Sequence, residues 1–181
     1  MHYADDYLSY FTQGSTQYDA LGHVLHDDQI WNGYDAKTTI GGLAKASVMA
    51  IADRGVVGRG IRLDIARWRG KDVLAKGETF THEDLMACAT AHGAKIEPRD
   101  ILIVRTGWIA NEVSTDPVSG VALPLHNALM RNLGITLTEI AWLEDLAADC
   151  AEDRQYTFLY TAAPLKIVFG TGAPVNPVVI K

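Results

Sequence analysis

Apolar residues recur along this chain at spacings that alternate between the period of a helix and that of a strand. Over residues 39–53 the apolar side chains fall at helix-like intervals, and Gly55 follows as a C-terminal cap would. Residues 56–66 then carry apolar side chains at every second position from Ile61 to Ile65, which is the pattern of a strand. We therefore expect a helix and then a strand in the first third of the chain.

The same alternation continues to the end of the chain. Thr81 and Asp84 resemble a capping box and predict a helix that runs through Ala91 and stops at Gly93. The remaining predicted elements are a buried apolar strand over 101–104, a helix over 124–133 closed by Gly134, a helix capped by Thr138, and strands over 156–161 and 175–180. Helices and strands in this order predict a mixed α/β domain.

Composition and charge fit one folded enzyme domain and exclude several other classes. With 181 residues and 48% hydrophobic content, the chain can bury one substantial core and needs no second domain. The net charge of −6 and the scattered Lys and Arg residues argue against a nucleic-acid partner. No apolar run reaches the roughly 18 to 20 residues that cross a bilayer, and Asp5 and Asp6 do not fit a signal peptide. We expect no membrane partner and a cytoplasmic location.

The two cysteines lie far apart in the sequence. Cys88 sits in a helical pattern, and Cys150 lies near the end of another. In a chain expected in the cytoplasm, this arrangement favours two buried free thiols over a disulfide or a zinc pair.

Candidate chemistry is concentrated in residues 13–23. Asp19 and His23 are a carboxylate and an imidazole four positions apart, and the small residues Ala20 and Gly22 leave room for both to converge on one divalent cation. The spacing is equally that of a hydrogen-bonded pair within a loop. From the residues alone, both readings stay open.

This stretch resembles the HxGTHxDxPxH signature of the cyclase family of metal-dependent hydrolases, which includes bacterial kynurenine formamidases and isatin hydrolases. The positions that match are Thr16, Asp19 and His23. Gln13 and Gln17 stand where the first two histidines of the signature belong, Ser15 replaces its glycine, and Leu21 replaces its proline. Because an amide is a poorer zinc ligand than an imidazole, we expect one metal ion rather than two.

A second stretch, residues 123–139, resembles the family segment in which a histidine opens a helix and a glutamate follows. By that match, His126 and Glu139 share the site of Asp19 and His23. Residues 142–146 and 172–179 also resemble the family, so the likeness covers most of the chain. It implies the mixed-sheet swivelling β/β/α fold of the cyclase family over 1–181, shortened at the N-terminus and around 109–111.

The resemblance implies a metal-dependent hydrolase, or a cyclase, that acts on an amide, formamide, cyclic amide or lactone of a small ring-containing metabolite. The predicted metal ligands are Asp19, His23, Glu139 and Gln17. The predicted acid–base residues are His126 and Glu139, and His126 is also a candidate fourth ligand. The predicted cofactor is one divalent ion, zinc or manganese, with magnesium possible. The alternative is a catalytically inactive cyclase-fold protein that binds a small ligand or serves as a structural subunit.

Three further residues are candidates for contact with the small-molecule substrate. Gln13 could hydrogen-bond the substrate or its attacking water. Trp31 could pack against a ring-shaped substrate or simply within a turn. Arg105 follows a buried strand and could bind a substrate carboxylate, or pair structurally with Asp64 or Asp100. The resemblance also implies a homodimer or homotetramer.

Overall fold

Two β-sheets organise the chain in the computed structural model, which describes residues 4–108 and 124–181. In the first sheet, β1 (Gln17–Asp19) lies between β4 (Thr138–Glu139) and β6 (Gly172–Pro174), and both pairings are antiparallel. The second sheet has the order β3 (Ile101–Arg105), β2 (Val56–Asp64), β5 (Thr157–Ala162) and β7 (Val178–Ile180). Its β2–β3 pair is parallel and its other pairs are antiparallel, so this sheet is mixed, as predicted.

Short helices connect these strands. They are α1 (Met49–Arg54), α2 (Ile65–Trp68), α3 (His82–Ala91), α4 (Pro124–His126, continued by a π-helical turn over Asn127–Asn132) and α5 (Glu144–Asp153), with 3₁₀ turns at Trp31–Gly33 and Ala36–Thr39. The capping box predicted for α3 is present, because the Thr81 and Asp84 side chains each accept a hydrogen bond from the other residue's backbone N–H. The helix predicted over 124–133 is confirmed in extent, and most of it takes π geometry.

The four-stranded sheet separates two apolar clusters. On one face, Ile61 and Leu63 pack with Cys88 of α3. On the other face, the β5 side chains Phe158 and Tyr160 pack against Tyr18 of the first sheet. Side chains along a strand point alternately to the two faces of the sheet. Alternate residues of one strand therefore contribute to different clusters. The second cluster joins the two sheets and fixes where β1 lies.

Four predicted elements differ from the structure. The strand predicted over 56–66 ends at Asp64, whose side chain accepts a hydrogen bond from the Arg67 N–H and caps α2. The helix predicted over 39–53 is reduced to Met49–Arg54, because Gly41, Gly42 and Ala46 have φ of +80°, +120° and +53°, which lie outside the α-helical range. Thr138 lies in β4 rather than at a helix cap, and the helix begins only at Glu144. The strand predicted over 175–180 is limited to Val178–Ile180.

Two other expectations can be compared with the structure. Cys88 and Cys150 are buried free thiols, as predicted. Within residues 4–108 and 124–181, no helix has both the length and the apolar character needed to cross a bilayer. The shortening expected around 109–111 lies outside the described residues.

Candidate metal centre

The three residues of β1 divide between two environments. Gln17 and Asp19 are two positions apart and therefore project from the same face of the strand, whereas Tyr18 projects from the opposite face. The Tyr18 hydroxyl shares a hydrogen bond with the Tyr160 hydroxyl, 3.2 Å away, in the cluster between the sheets. Gln17 is registered directly opposite Glu139 of β4. Gln17, Asp19 and Glu139 thus share the face that turns away from that cluster.

His126 reaches this face from the helix that precedes β4. It lies at the junction where α4 passes into the π-helical turn, a geometry found frequently at functional sites. Its Nε2 lies 3.1 Å from Glu139 Oε1 and 3.7 Å from Asp19 Oδ2. One ligand atom from each of Asp19, His126 and Glu139 lies within 4.8 Å of the others. These three residues form the cluster that we call the acid–histidine cluster.

Charge within the acid–histidine cluster changes the proton affinity of its members. The Asp19 and Glu139 carboxylates raise the pKa of His126 to about 9, although its burial acts in the opposite direction. The His126 imidazole in turn holds the pKa of Glu139 below its usual value, and His23 adds a smaller effect of the same sign. A cationic group is therefore strongly favoured between these two carboxylates.

Several buried polar atoms on the same face have no hydrogen-bond partner among the described residues. They include both amide atoms of Gln17 and both carboxylate oxygens of Asp19. Gln17 is fully buried and Asp19 is 1% exposed. Since the large majority of buried side-chain polar atoms in folded proteins are hydrogen-bonded, this concentration indicates a site built for a bound group. Carboxylate and amide oxygens beside an imidazole are a donor set that suits a divalent cation.

His23 lies next to the acid–histidine cluster rather than within it. Its backbone N–H donates to the Ala20 carbonyl, 2.8 Å away, and closes a turn directly after β1. Its half-buried side chain is near enough to lower the pKa of Glu139. The structure thus brings Asp19, His126 and Glu139 together and places His23 beside them, and the role of His23 as a ligand stays a prediction.

Gln13 lies close to β6, and Trp31 lies close to the end of the helix that carries His126. The Gln13 amide donates to Thr171 Oγ1 at 3.1 Å. It also packs closely against Gly172, where a Cβ would stand only 2.6 Å from its Nε2. Gly172 is the β6 partner of Asp19. Trp31 packs against Gly134, the residue that closes the helix of His126. Contact of Gln13 or Trp31 with a substrate stays a prediction.

Arg105 makes the structural pairing that the sequence left open. Its guanidinium donates twice to Glu144 at 2.8 Å and once to Asp64 at 3.1 Å, and the side chain is buried. The other candidate partner, Asp100, pairs with Arg59 instead. A substrate-binding role for Arg105 stays a prediction, and any such role would have to compete with these three hydrogen bonds.

The sequence interpretation assigned no structural role to Thr16 or Ile140. Ile140 follows Glu139 directly and has φ of +55°, a left-handed conformation that β-branched residues rarely adopt. The Thr16 hydroxyl donates to the Ile140 carbonyl at 2.8 Å. The match of Thr16 to the signature could be identified from the sequence, but the Ile140 carbonyl that its hydroxyl contacts could not.

Similarity to known proteins extends along most of the chain. Residues 2–150 match the family described as putative cyclase. A crystal structure described as a novel cyclase is 31% identical, with a TM-score of 0.86, and the alignment covers 100% of this chain and 74% of that one. An isatin hydrolase bound to the product analogue thioisatinate is 17% identical with a TM-score of 0.53, covering 92% of this chain and 71% of that one, and shows the fold alone. No curated protein matches the chain.

These similarities bear out the α/β fold and the family predicted from residues 13–23 and 123–139. The family match spans the segments that supply all three members of the acid–histidine cluster. The 31% identical structure covers the whole chain, including the sheet formed by β1, β4 and β6. The chain belongs to the cyclase family.

Proposed function

We propose that this chain is a metal-dependent hydrolase, or a cyclase working in the reverse direction, for a carbon–nitrogen or cyclic ester bond of a small ring-containing metabolite. The observation that carries the proposal is the convergence of Asp19, His126 and Glu139 within 4.8 Å of one another, with Asp19 and His126 buried. Membership of the cyclase family supports the enzyme class. The Gln17 and Asp19 side-chain atoms that lack a hydrogen-bond partner among the described residues support a ligand at this place.

The proposed cation ligands are Asp19 and Glu139, with the Gln17 amide oxygen and the His23 imidazole completing the set. His126 is either a further ligand or the proton carrier, and its place inside the cluster supports both roles. A divalent cation here would supply Lewis acidity, polarising a carbonyl oxygen and lowering the pKa of water. Two or three oxygen donors beside one or two imidazoles suit manganese and zinc, and magnesium remains a candidate.

Glu139 and His126 are proposed to handle the protons of the reaction. Their side chains lie 3.1 Å apart, which is hydrogen-bonding distance, so a proton can pass between them. During hydrolysis, the oxygen of the attacking water bonds to the carbonyl carbon, and a carboxylate of the pair accepts the proton that the water loses. The bond to the leaving nitrogen or oxygen then breaks, and the imidazole returns a proton to that atom. Ring closure follows the same steps in reverse.

The proposed substrate is a small molecule with a planar ring. Trp31 offers an apolar surface for such a ring, next to the helix that carries His126. Gln13 and Arg105 are the proposed polar contacts, Gln13 toward the carbonyl side and Arg105 toward a carboxylate. A homodimer or homotetramer is the assembly that family membership favours.

Metal content tests this proposal directly. Plasma mass spectrometry of the purified parent should give about one equivalent of zinc or manganese, and the Asp19→Ala and His23→Ala variants should give little. Asp149→Ala is the matched control. Asp149 is a carboxylate on α5 that pairs with Lys181, and it is not a member of the acid–histidine cluster. The loaded parent would then be assayed on cyclic amides, formamides and lactones.

The competing function is a cyclase-fold protein that binds a ligand without turning it over. Absence of metal in the parent, even after incubation with each cation, would contradict the hydrolase and favour this alternative. Stoichiometric metal with no turnover across all three substrate classes would favour it as well.

A further inference from the structure

Ile140 stores backbone strain directly beside the proposed metal ligand Glu139. Among the described residues other than glycine, eight have positive φ, and Ile140 alone of these is β-branched. A left-handed conformation brings Cβ close to the following carbonyl oxygen, and branching at Cβ worsens that contact. Such a conformation persists only where the surroundings hold it, and it is concentrated at functional sites.

Thr16 supplies the contact that holds this backbone. The register pairs Gln17 with Glu139, so Thr16 would face Ile140 if the ladder of β1 and β4 continued. The ladder stops instead, because the chain turns at Ile140. The Thr16 hydroxyl donates to the Ile140 carbonyl at 2.8 Å, while its own carbonyl accepts from the Val175 N–H on the β6 side. One residue thus ties both flanking strands to β1.

We infer that Thr16 is a positioning residue for the metal centre: its hydroxyl holds Ile140 in the strained turn, and the turn fixes the Glu139 carboxylate against His126 and Asp19. This inference rests on the proposed function, since Thr16 acts through Glu139, which is a proposed metal ligand. Without the hydroxyl, Ile140 relaxes toward extended backbone and Glu139 swings from the acid–histidine cluster.

The test compares Thr16→Val, which has the same shape without the donor, with Thr16→Ser, which restores the donor. Removal of a residue that orients a metal ligand typically weakens metal binding 10- to 100-fold. We expect that loss in Thr16→Val and affinity close to the parent's in Thr16→Ser, measured by titration calorimetry with Mn²⁺ and with Zn²⁺. Thr39→Val is the matched control, because Thr39 likewise donates to a backbone carbonyl, that of Ala36, at 2.7 Å, and it is not a cluster residue.

A crystal structure of Thr16→Val gives a second readout that needs no metal. It should show Ile140 outside the left-handed region and Glu139 Oε1 beyond hydrogen-bonding distance of His126 Nε2. Unchanged geometry, or unchanged affinity in a folded Thr16→Val, would overturn the inference; Thr16→Ala replaces it if the valine variant does not fold. A parent that binds neither ion contradicts the proposed function instead, and the crystal structure still decides the role of Thr16.

Discussion

Gln17 and Glu139 lie directly opposite each other across β1 and β4, and the Gln17 amide is fully buried with neither of its polar atoms hydrogen-bonded to a described residue. A buried amide without a partner costs the protein stability. The same amide faces the carboxylate of a proposed metal ligand. The buried Gln17 amide therefore lowers the stability of the metal-free protein and provides an oxygen donor for a cation, which is a recurrent compromise at functional sites.

Replacement of Gln17 by leucine separates these two effects. We expect Gln17→Leu to raise the free energy of unfolding of the metal-free protein by about 1 kcal/mol, because an apolar side chain of similar size removes two unpartnered polar atoms. The same variant should bind Mn²⁺ about tenfold more weakly, because it lacks an oxygen donor. Urea unfolding of the metal-free protein and metal titration measure the two quantities.

Gln155→Leu is the control, since Gln155 is an exposed residue whose amide donates to the Thr157 carbonyl. It should bring no gain in stability and no change in metal affinity. A Gln17→Leu protein that is less stable than the parent and binds Mn²⁺ equally well would show that Gln17 is bonded in solution and takes no part in the metal centre.

Removal of His126 should lower the stability of the metal-free protein and increase the stabilisation that added metal provides. In His126→Ala the Asp19 and Glu139 carboxylates lose the imidazole that lies between them, and Asp19 remains buried while Glu139 is partly buried. Breaking a buried ion pair in this way typically costs about 3 kcal/mol. We expect the metal-free variant to melt well below the parent, and added Mn²⁺ to recover part of the loss by supplying positive charge. Melting temperatures with and without Mn²⁺ check this, and equal metal responses in parent and variant would contradict it.

Arg105 and Glu144 should stabilise the fold in a pH-dependent manner. The hydrogen bonds from Arg105 lower the pKa of Glu144 below its ordinary value. A carboxylate whose pKa is lowered on folding contributes stability above its unfolded pKa of about 4.3, and loses that contribution as the pH falls through the folded value. Glu144→Gln should thus cost about 1 kcal/mol at pH 7, given the partial exposure of Glu144, and the difference should shrink in acid below about pH 4.

Arg105→Met separates the structural role of Arg105 from the proposed substrate contact. If the buried pairing with Asp64 and Glu144 is its main role, the variant should lose about 3 kcal/mol of stability and bind metal as the parent does. Urea unfolding and metal titration measure this pair of outcomes. A variant of unchanged stability with an impaired reaction would instead assign Arg105 to the substrate.

Local chemistry made part of this structure predictable from sequence. The capping box of Thr81 and Asp84 involves only neighbouring residues, and it is present. The residues of the acid–histidine cluster were identified through family resemblance, because their convergence joins segments more than a hundred positions apart. The position of Gln17 opposite Glu139 and the contact of Thr16 with the left-handed Ile140 join distant parts of the chain, which no local pattern encodes.

Tertiary contacts overrode the local pattern where the predictions failed. Leu43 and Val48 have helix-like spacing, yet they reach the core from irregular chain and pack on Ala20 and Ala173. Thr138 has the chemistry of a helix cap, yet pairing with Tyr18 places it in a strand. The apolar character of Leu43 and Val48 was interpreted correctly, whereas the capping role of Thr138 was not, and in both cases contacts with distant residues determined the backbone conformation.

Gly134 should prove indispensable for the contact between Trp31 and the helix of His126. It has φ of +67°, and a Cβ there would stand 2.4 Å from the Trp31 indole nitrogen. Gly134→Ala therefore meets two penalties: about 1 to 2 kcal/mol for the left-handed backbone, and a further cost of about 1 to 3 kcal/mol for the overlap with the indole ring. Gly93→Ala meets only the first, because Gly93 has φ of +68° and open space where its Cβ would be.

A double-mutant cycle separates the two penalties. Gly134→Ala should lower the free energy of unfolding by more than Gly93→Ala does, and adding Trp31→Ala should remove that excess because the overlap disappears. Urea unfolding of the four proteins and their parent measures each difference. Equal losses in Gly134→Ala and Gly93→Ala would mean that Trp31 moves freely from Gly134, and the proposed ring-binding surface would then have no fixed position beside His126.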